Sequence, residues 1–443
     1  LYITHYVIKR IDKKPSDERL LMHFFMKKIF FLLLIILLFQ PLHAAHSGSV
    51  IVELEQAALK HDRILLELNQ KIQGNYQRSL GAVYWENPQL NMGLSNLPTD
   101  TLHLDQEAMT QLKVSMRQML PLGDSLQLKA DKFNTQATRL QHQQEQRRRE
   151  IIQKVRSLLA KVILEQEIYR VLHANQHLLK EYQELSTTNF AGGSLQQQNV
   201  LQAVLQRSLL EDKIAGNNTR LELAKDELLR WTGKSMPPLK QLSMNQLATR
   251  IQPLTEKNRV AEHPSLLMLE SSIQSAKLEK QLKAQQFKPR WSVEIAYAKR
   301  FGNNPDASER SDFISAGIGV SYPLWGQHKQ QAQLQAAVAE ELGVLESYQD
   351  QLLELENQWQ QLRRKIDDFE QRISNYRGKI LIQAKQNADA ALNSYESGRG
   401  NFTQLLKARE MLLSIELQVL ELEYEHLEQV IRLAALAGEK QGN

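Results

Sequence analysis

The sequence is written twice, and that repetition constrains the fold more than any other feature. Pro88 opens NPQLNMGLSN and Pro289 opens KPRWSVEIAY, while Pro121 closes an alternating run as Pro323 does later. Two glycine-containing turns follow in the same order, Phe190 to Ala203 and Tyr395 to Ala408. Laid on each other, they match Phe190 with Tyr395, Gly193 with Gly398, Val200-Leu201 with Leu405-Leu406, and Ala203 with Ala408. Landmarks in one order at a spacing of roughly 200 residues specify a tandem duplication. The expected halves are residues 46–232 and 256–443. The Pro-containing stretch 233–255 has no sustained periodicity and is expected as a linker or an equatorial belt.

Each half reads as helix, strand, strand, long helix, turn, long helix. In the first, Leu90, Met92 and Leu94 alternate with polar or small residues, and so do Leu112, Val114 and Met116. In the second, Trp291, Val293, Ile295 and Tyr297 alternate in the same way, followed by Ile314, Ala316, Ile318, Val320 and Tyr322. This period of two predicts strands at about 87–97, 108–121, 289–299 and 312–323. Such lengths suit tilted membrane strands with an apolar outer and a polar inner face. The competing reading is a soluble sandwich edge, whose apolar face would meet a protein core. Four strands are too few for a barrel, since eight is the usual minimum, whereas three copies would supply twelve.

Helical hairpins are predicted at about 125–232 and 327–437. Leu345, Tyr348, Leu352, Leu355, Trp359, Leu362, Ile366, Phe369, Ile373, Tyr376 and Ile380 are spaced 3, 4, 3, 4 over five heptads. That is a coiled-coil seam within a long helical run expected from about Gln327 to Ser394. A helix of sixty residues is about 90 Å long. The expected fold class is therefore mainly α with membrane β-strands, as two tandem repeats of a strand pair plus a long helical hairpin.

The one strongly apolar run begins at Met26, with Lys27 and Lys28 before a short greasy centre and Ala44-Ala45 after it. It reads as a secretory signal peptide, so residues 1–45 are expected to be an upstream extension plus a cleaved leader. Residues 1–28 hold seven Lys or Arg against three Asp or Glu, which places +4 of the formal +5 charge there. The remainder is close to neutral, and nucleic acid is not an expected partner. With no cysteine anywhere, disulfides, thiolate metal sites, thiol catalysis and lipidation of an N-terminal Cys are not expected.

The doubled arrangement resembles the TolC-like outer-membrane efflux family over about 50–440. Asn96-Leu97-Pro98, Gln106-Glu107, Met109-Thr110, Gln118 and Pro121 to Leu126 resemble the CusC- and CzcC-like heavy-metal branch. The resemblance implies a homotrimer with a 12-stranded outer-membrane β-barrel on a periplasmic α-helical barrel. It implies outer-membrane lipid, a periplasmic adaptor protein and an inner-membrane proton-driven efflux pump as partners. It also implies passive export of metal cations. Export of drugs or of a secreted polypeptide by a type I system is the alternative cargo. A periplasmic coiled-coil scaffold or adaptor is the alternative of another class.

The resemblance places adaptor contacts at the helix tips, around Phe190, Gly193 and Ser194 and around Tyr395, Gly398 and Asn401. Asp389, Glu396 and Arg399 are candidates for a tunnel gate, with capping residues of an exposed turn as the plainer reading. Lys113, Arg117 and Glu294 fall on the polar strand faces and are candidates for the barrel lumen, either as weak ion filters or as solvated charges. His173 and His177 share a helix face but lack an evident third ligand, and the basic run Gln146 to Glu150 reads as a solvated helix stretch or a contact with the next protomer. No catalytic constellation, metal site or cofactor site is expected, and the chain is not expected to be an enzyme.

Overall fold

The computed structural model describes residues 50–235, 243–324 and 327–439. The expected leader, residues 1–45, lies outside the described residues, as does part of the linker at 236–242. The chain divides at Glu53–Leu54 into two units, and the elements from Leu54 onward belong to the second. The described elements are α1 (Val50–His61), α2 (Arg63–Ala82), β1 (Gln89–Ser95), β2 (Gln111–Met119), α3 (Ser125–Ala191) and α4 (Gln197–Thr232). A short α5 (Met244–Arg250) and a 3-10 turn (Lys257–Glu262) lead to α6 (Pro264–Gln285), β3 (Arg290–Arg300) and β4 (Phe313–Ser321). The chain ends in α7 (His328–Asn375), a π-turn (Tyr376–Ile380), α8 (Leu381–Glu396) and α9 (Phe402–Ala437).

The strands form one antiparallel sheet in the order β1-β2-β3-β4, leaving β1 and β4 as its edges. Alternation within each strand and the register between strands agree throughout. Leu90 faces Met116, Met116 faces Ile295 and Ile295 faces Ala316, so the apolar side chains collect on one face. No core covers that face: Leu90 and Met92 are each 73% exposed, Ile314 81% and Ile318 75%. A sandwich edge covered by a core of this same chain would bury these residues, and among the described residues no such core lies over them. No helix among the described residues is long and apolar enough to cross a membrane.

Helix α3 has 67 residues, about 100 Å at 1.5 Å per residue. It is the centre of the helical layer. Next to the sheet the neighbours run α2-α3-α6-α7, and towards the turns they run α4-α3-α9 with α7 and α8 beyond. The core lies along α3 and α9, where Ile151, Leu159, Ile163 and Leu172 of α3 and Leu427, Ile431 and Leu433 of α9 are all fully buried.

The helix expected over about 327–394 is helical throughout, from His328 to Glu396, but carries a π-turn inside it. The heptad run from Leu345 holds through Leu355 and Ile366, which are buried, and then meets the π-turn at Tyr376–Ile380. Continued strictly, the seam would put residues 383 and 387 inside, whereas Ala384 and Ala388 are the buried ones. A π-turn accommodates one extra residue in a helix, and here it resets the seam by that one residue. Within the segment expected as a linker, Ser243 and Gln246 form a reciprocal capping box that starts α5.

Candidate barrel wall and helix tips

On the face opposite the apolar band, β2 and β3 bring the three candidate lumen residues together. Glu294 accepts from Arg117 Nε at 2.9 Å and from Nη2 at 2.5 Å, and Lys113 Nζ lies 3.7 Å away. Register explains the meeting, because Arg117 sits directly across from Glu294. Beside the charges the concavity is lined by the small residues Ser292, Ala296, Ser315, Gly317 and Gly319, with Met119 and Arg290 at its end. A Cβ on Gly319 would come within 2.5 Å of Ser292 Oγ, so the wall is kept low there.

The connections beyond the strands explain the residues that carried the closest resemblance. Asn96 has φ 59, a left-handed conformation that Asn tolerates better than most residues. Its Nδ2 donates to the Met109 carbonyl at 3.0 Å, while Thr110 Oγ1 donates to the Asn96 carbonyl at 2.7 Å. Gln118 Nε2 donates to the carbonyls of Glu86 and Met119, both at 2.9 Å. These residues clasp the ends of the hairpin. Their job is structural, and they touch no lumen charge. Arg310 ties the second connection to the first by donating to the carbonyls of Asp105 and Glu107.

At the far end the two turns are built alike. Gly193, φ 76, donates to the Phe190 carbonyl and Ser194 N to that of Asn189; Gly398, φ 72, donates to Tyr395 and Arg399 N to Ser394. Each is a helix end closed by a left-handed glycine. Asn401 Oδ1 then caps α9 by accepting from Thr403 N at 2.9 Å.

The surroundings of the two turns differ. Tyr395 packs on Phe402 with centroids 5.5 Å apart and accepts from Asn189 Nδ2 at 2.9 Å, whereas Phe190 is 45% exposed. Leu405 and Leu406 are buried in a cluster with Tyr182, Ala203 and Phe402, but their sequence counterpart Leu201 is 60% exposed. The repeat is therefore matched in backbone and unequal in burial.

The three candidate gate residues do not meet. Asp389 approaches Arg409 Nη2 at 3.9 Å, and the Arg409 Nε donates to Tyr182 at 3.1 Å. Among the described residues, Glu396 and Arg399 form no ion pair with each other or with Asp389. Sequence reasoning missed Arg409, because its contacts cross from α9 to α8 and α3 and leave no local trace. Its neighbours on α9 extend a ladder: Glu423 pairs with Arg377 of the π-turn, and His426 lies 3.5 Å from Glu370. Burial pushes the carboxyls of Glu416 and Glu423 up, against the pull of Lys385 and Arg377 respectively.

His173 stacks against Tyr169 at 5.6 Å and His177 contacts Glu181 at 3.3 Å, so each is engaged separately. In the run Gln146 to Glu150, Arg147 pairs with Asp62 at 2.7 Å and binds α1 and α2 to α3.

Residues 258–439 match the family model described as "Outer membrane efflux protein". No curated protein matches the sequence at a significant level. Among solved structures the fold is similar to CusC, with a TM-score of 0.75 at 15% identity over 88% of this chain and 92% of that one. It is similar to VceC of Vibrio cholerae, TM-score 0.71 at 15% identity over 88% and 96%. It is also similar to the CmeC channel of Campylobacter jejuni, TM-score 0.70 at 11% identity over 89% and 87%.

Proposed function

We propose that the chain is a TolC-like outer-membrane efflux channel and that three copies close into one passive duct for metal cations. On this reading it is a duct rather than an enzyme, seated in the outer membrane with a long periplasmic helical part; the partial family match and the shared fold support that placement. The observation that carries the duct is the sheet with its apolar side chains outermost, its polar side concave and both edge strands unpaired. In lipid an open strand edge leaves backbone donors and acceptors without partners, so the sheet has to close on other sheets.

The helical layer supports the same closure. Its outermost members lie beside the open strands: α2 and α4 on the β1 side, α7 and α8 on the β4 side. Exposed leucines gather on them, at Leu201, Leu205, Leu209 and Leu223 of α4 and at Leu342, Leu345 and Leu353 of α7. The central helices α6 and α9 expose only Met411 among their large apolar residues. A head-to-tail contact of one edge on the other, repeated three times, covers both.

On this reading residues 46–232 and 256–443 are two copies of one unit. The tips around Gly193 and Gly398 meet a periplasmic adaptor, and an inner-membrane proton-driven pump delivers the cargo. Asp389, held by Arg409, is the strongest of the gate candidates. Metal cations are the proposed cargo on the resemblance of the first hairpin, with drugs as the alternative.

Extraction and gene deletion test the two levels separately. The duct requires a trimer that needs detergent to leave the membrane; a stable soluble monomer would overturn it. Metal hypersensitivity in a deletion strain supports the metal cargo, and dye hypersensitivity with unchanged metal tolerance defeats it.

A further inference from the structure

We propose that the barrel wall favours anions over cations; the inference rests on the duct reading. The charges of the sheet are sorted by face. Alternation puts Lys113 and Arg117 of β2 and Arg290, Glu294 and Arg300 of β3 on the polar side, while β1 and β4 carry none. Lys299 alone falls on the apolar side, where it approaches Asp312 at 3.8 Å. Arg300 stands at the strand end among the connections, so the wall itself holds three cations against one carboxylate, a net +2 per copy and +6 around a ring of three.

The single carboxylate is already neutralised, since Glu294 binds Arg117 in two hydrogen bonds and lies near Lys113 as well. Arg290 has no carboxylate partner among the described residues, whereas the Arg300 guanidinium lies over the Phe313 ring, donates to the Ser311 and Ala108 carbonyls of the connections and acts on the Asp312 carboxylate. The connections 96–110 and 301–312 carry six carboxylates against Arg310, but they stand at the strand ends and not along the wall.

Geometry decides whether such a charge reaches the axis. Twelve strands about 4.8 Å apart and tilted by about 40° make a ring roughly 24 Å across at the backbone. Lys and Arg side chains span much of the ~12 Å from backbone to axis. The gap left is shorter than the Debye length of about 8 Å at physiological ionic strength. The field of the wall thus fills the bore, and like-charged solutes meet a barrier. A bare divalent cation is disfavoured along this stretch, so any metal exported here crosses as a neutral or anionic complex.

Reversal potentials of the full-length protein in planar bilayers under a KCl gradient test the sign. The expected chloride-to-potassium permeability ratio is on the order of threefold at 0.1 M salt, falling towards 1 at 1 M, where the Debye length is about 3 Å. The Lys113→Gln/Arg290→Gln variant should lose most of that preference. Cation preference in the parent, or an unchanged ratio in the variant, overturns the proposal.

A second readout does not depend on the tips being open. Because the chain has no cysteine, Ser315→Cys places one thiol on the inner face. Anionic methanethiosulfonate reagents should react with it several-fold faster, relative to a cationic reagent, than with a free thiol. A ratio equal to that of the free thiol sinks the charge preference while leaving the duct standing. No reaction with either reagent means no water on that face, which removes the duct and this inference together.

Discussion

His263 shows how much one side chain reports about its setting. It precedes α6, and its Nδ1 accepts from Ser265 N at 3.3 Å, so the imidazole acts as the N-cap. Burial, with Arg149 nearby, lowers its pKa to about 4. A proton on Nδ1 would also remove the cap and set a positive charge at the positive end of the helix dipole. The folded protein therefore keeps this ring neutral until pH approaches 4, while the unfolded chain takes up the proton near pH 6.5. Between those values the unfolded state binds more protons, so stability is full above about pH 6.5 and falls as pH drops. After discounting for partial solvent access, the loss should be about 1–2 kcal/mol. His263→Asn retains a capping side chain and should flatten that part of the curve, read as apparent thermal midpoint against pH for both proteins. A parallel fall in the variant would assign the effect to other groups. The sequence showed His-Pro before an apolar helix but not the burial, which depends on residues of α3 and α7 far along the chain. The same limit applies to Asp389: its position near the turn was legible, but its partner Arg409 was not.

At the scale of elements, period two located all four strands, because a half-buried strand and a lipid-facing strand share one alternation. Their ends were less clear. The strand expected over 108–121 pairs only from Gln111 to Met119, since Asn96 and Thr110 already clasp the connection. The helical hairpins were legible from the heptads, and the interruption between α7 and α8 was not. Yet the signal was present, because Ile380, Ala384 and Ala388 are spaced 4 and 4 where the earlier run would have given 3 and 4. Alanine is a weak hydrophobic marker, so the reset was easily overlooked. If the π-turn exists to realign the seam, deleting Gly378 should restore an unbroken α-helix and rotate α8 by about 100° relative to α9. Ala384 and Ala388 would leave Ala408 and Leu412, and the packing of Tyr395 on Phe402 would be lost. Limited proteolysis should then cut near Ser397 to Gly400 at least tenfold faster, with cleavage elsewhere unchanged. Gly378→Ala is the control. Its added methyl meets nothing within 4 Å, and it should stabilise the helix by about 0.5–1 kcal/mol. Unchanged cleavage after the deletion would mean that the extra residue has no role in register.

For the whole molecule, strand faces could be read from one chain, but the outer edges of the helical layer could not. Which leucines stay uncovered depends on the order of helices in space, and α4 shows this well. It reads as an ordinary return helix, with Ala203 and Leu210 buried against α3, while Leu201, Leu205 and Leu209 form a second stripe turned away from every helix of the same copy. In a ring that stripe meets the α7 and α8 side of the next copy. A carboxylate placed there is buried without a partner and costs about 2–3 kcal/mol at each of three contacts. Leu205→Glu/Leu209→Glu should therefore yield monomers in mild detergent under conditions that keep the parent trimeric, with helix content by circular dichroism unchanged. Met411→Glu adds a carboxylate at the lone exposed apolar site of α9 and should leave the trimer intact. Light scattering or chemical cross-linking separates the cases. A trimer that tolerates both α4 substitutions would place the contact between copies elsewhere, and the leucines of α4 would then be unexplained.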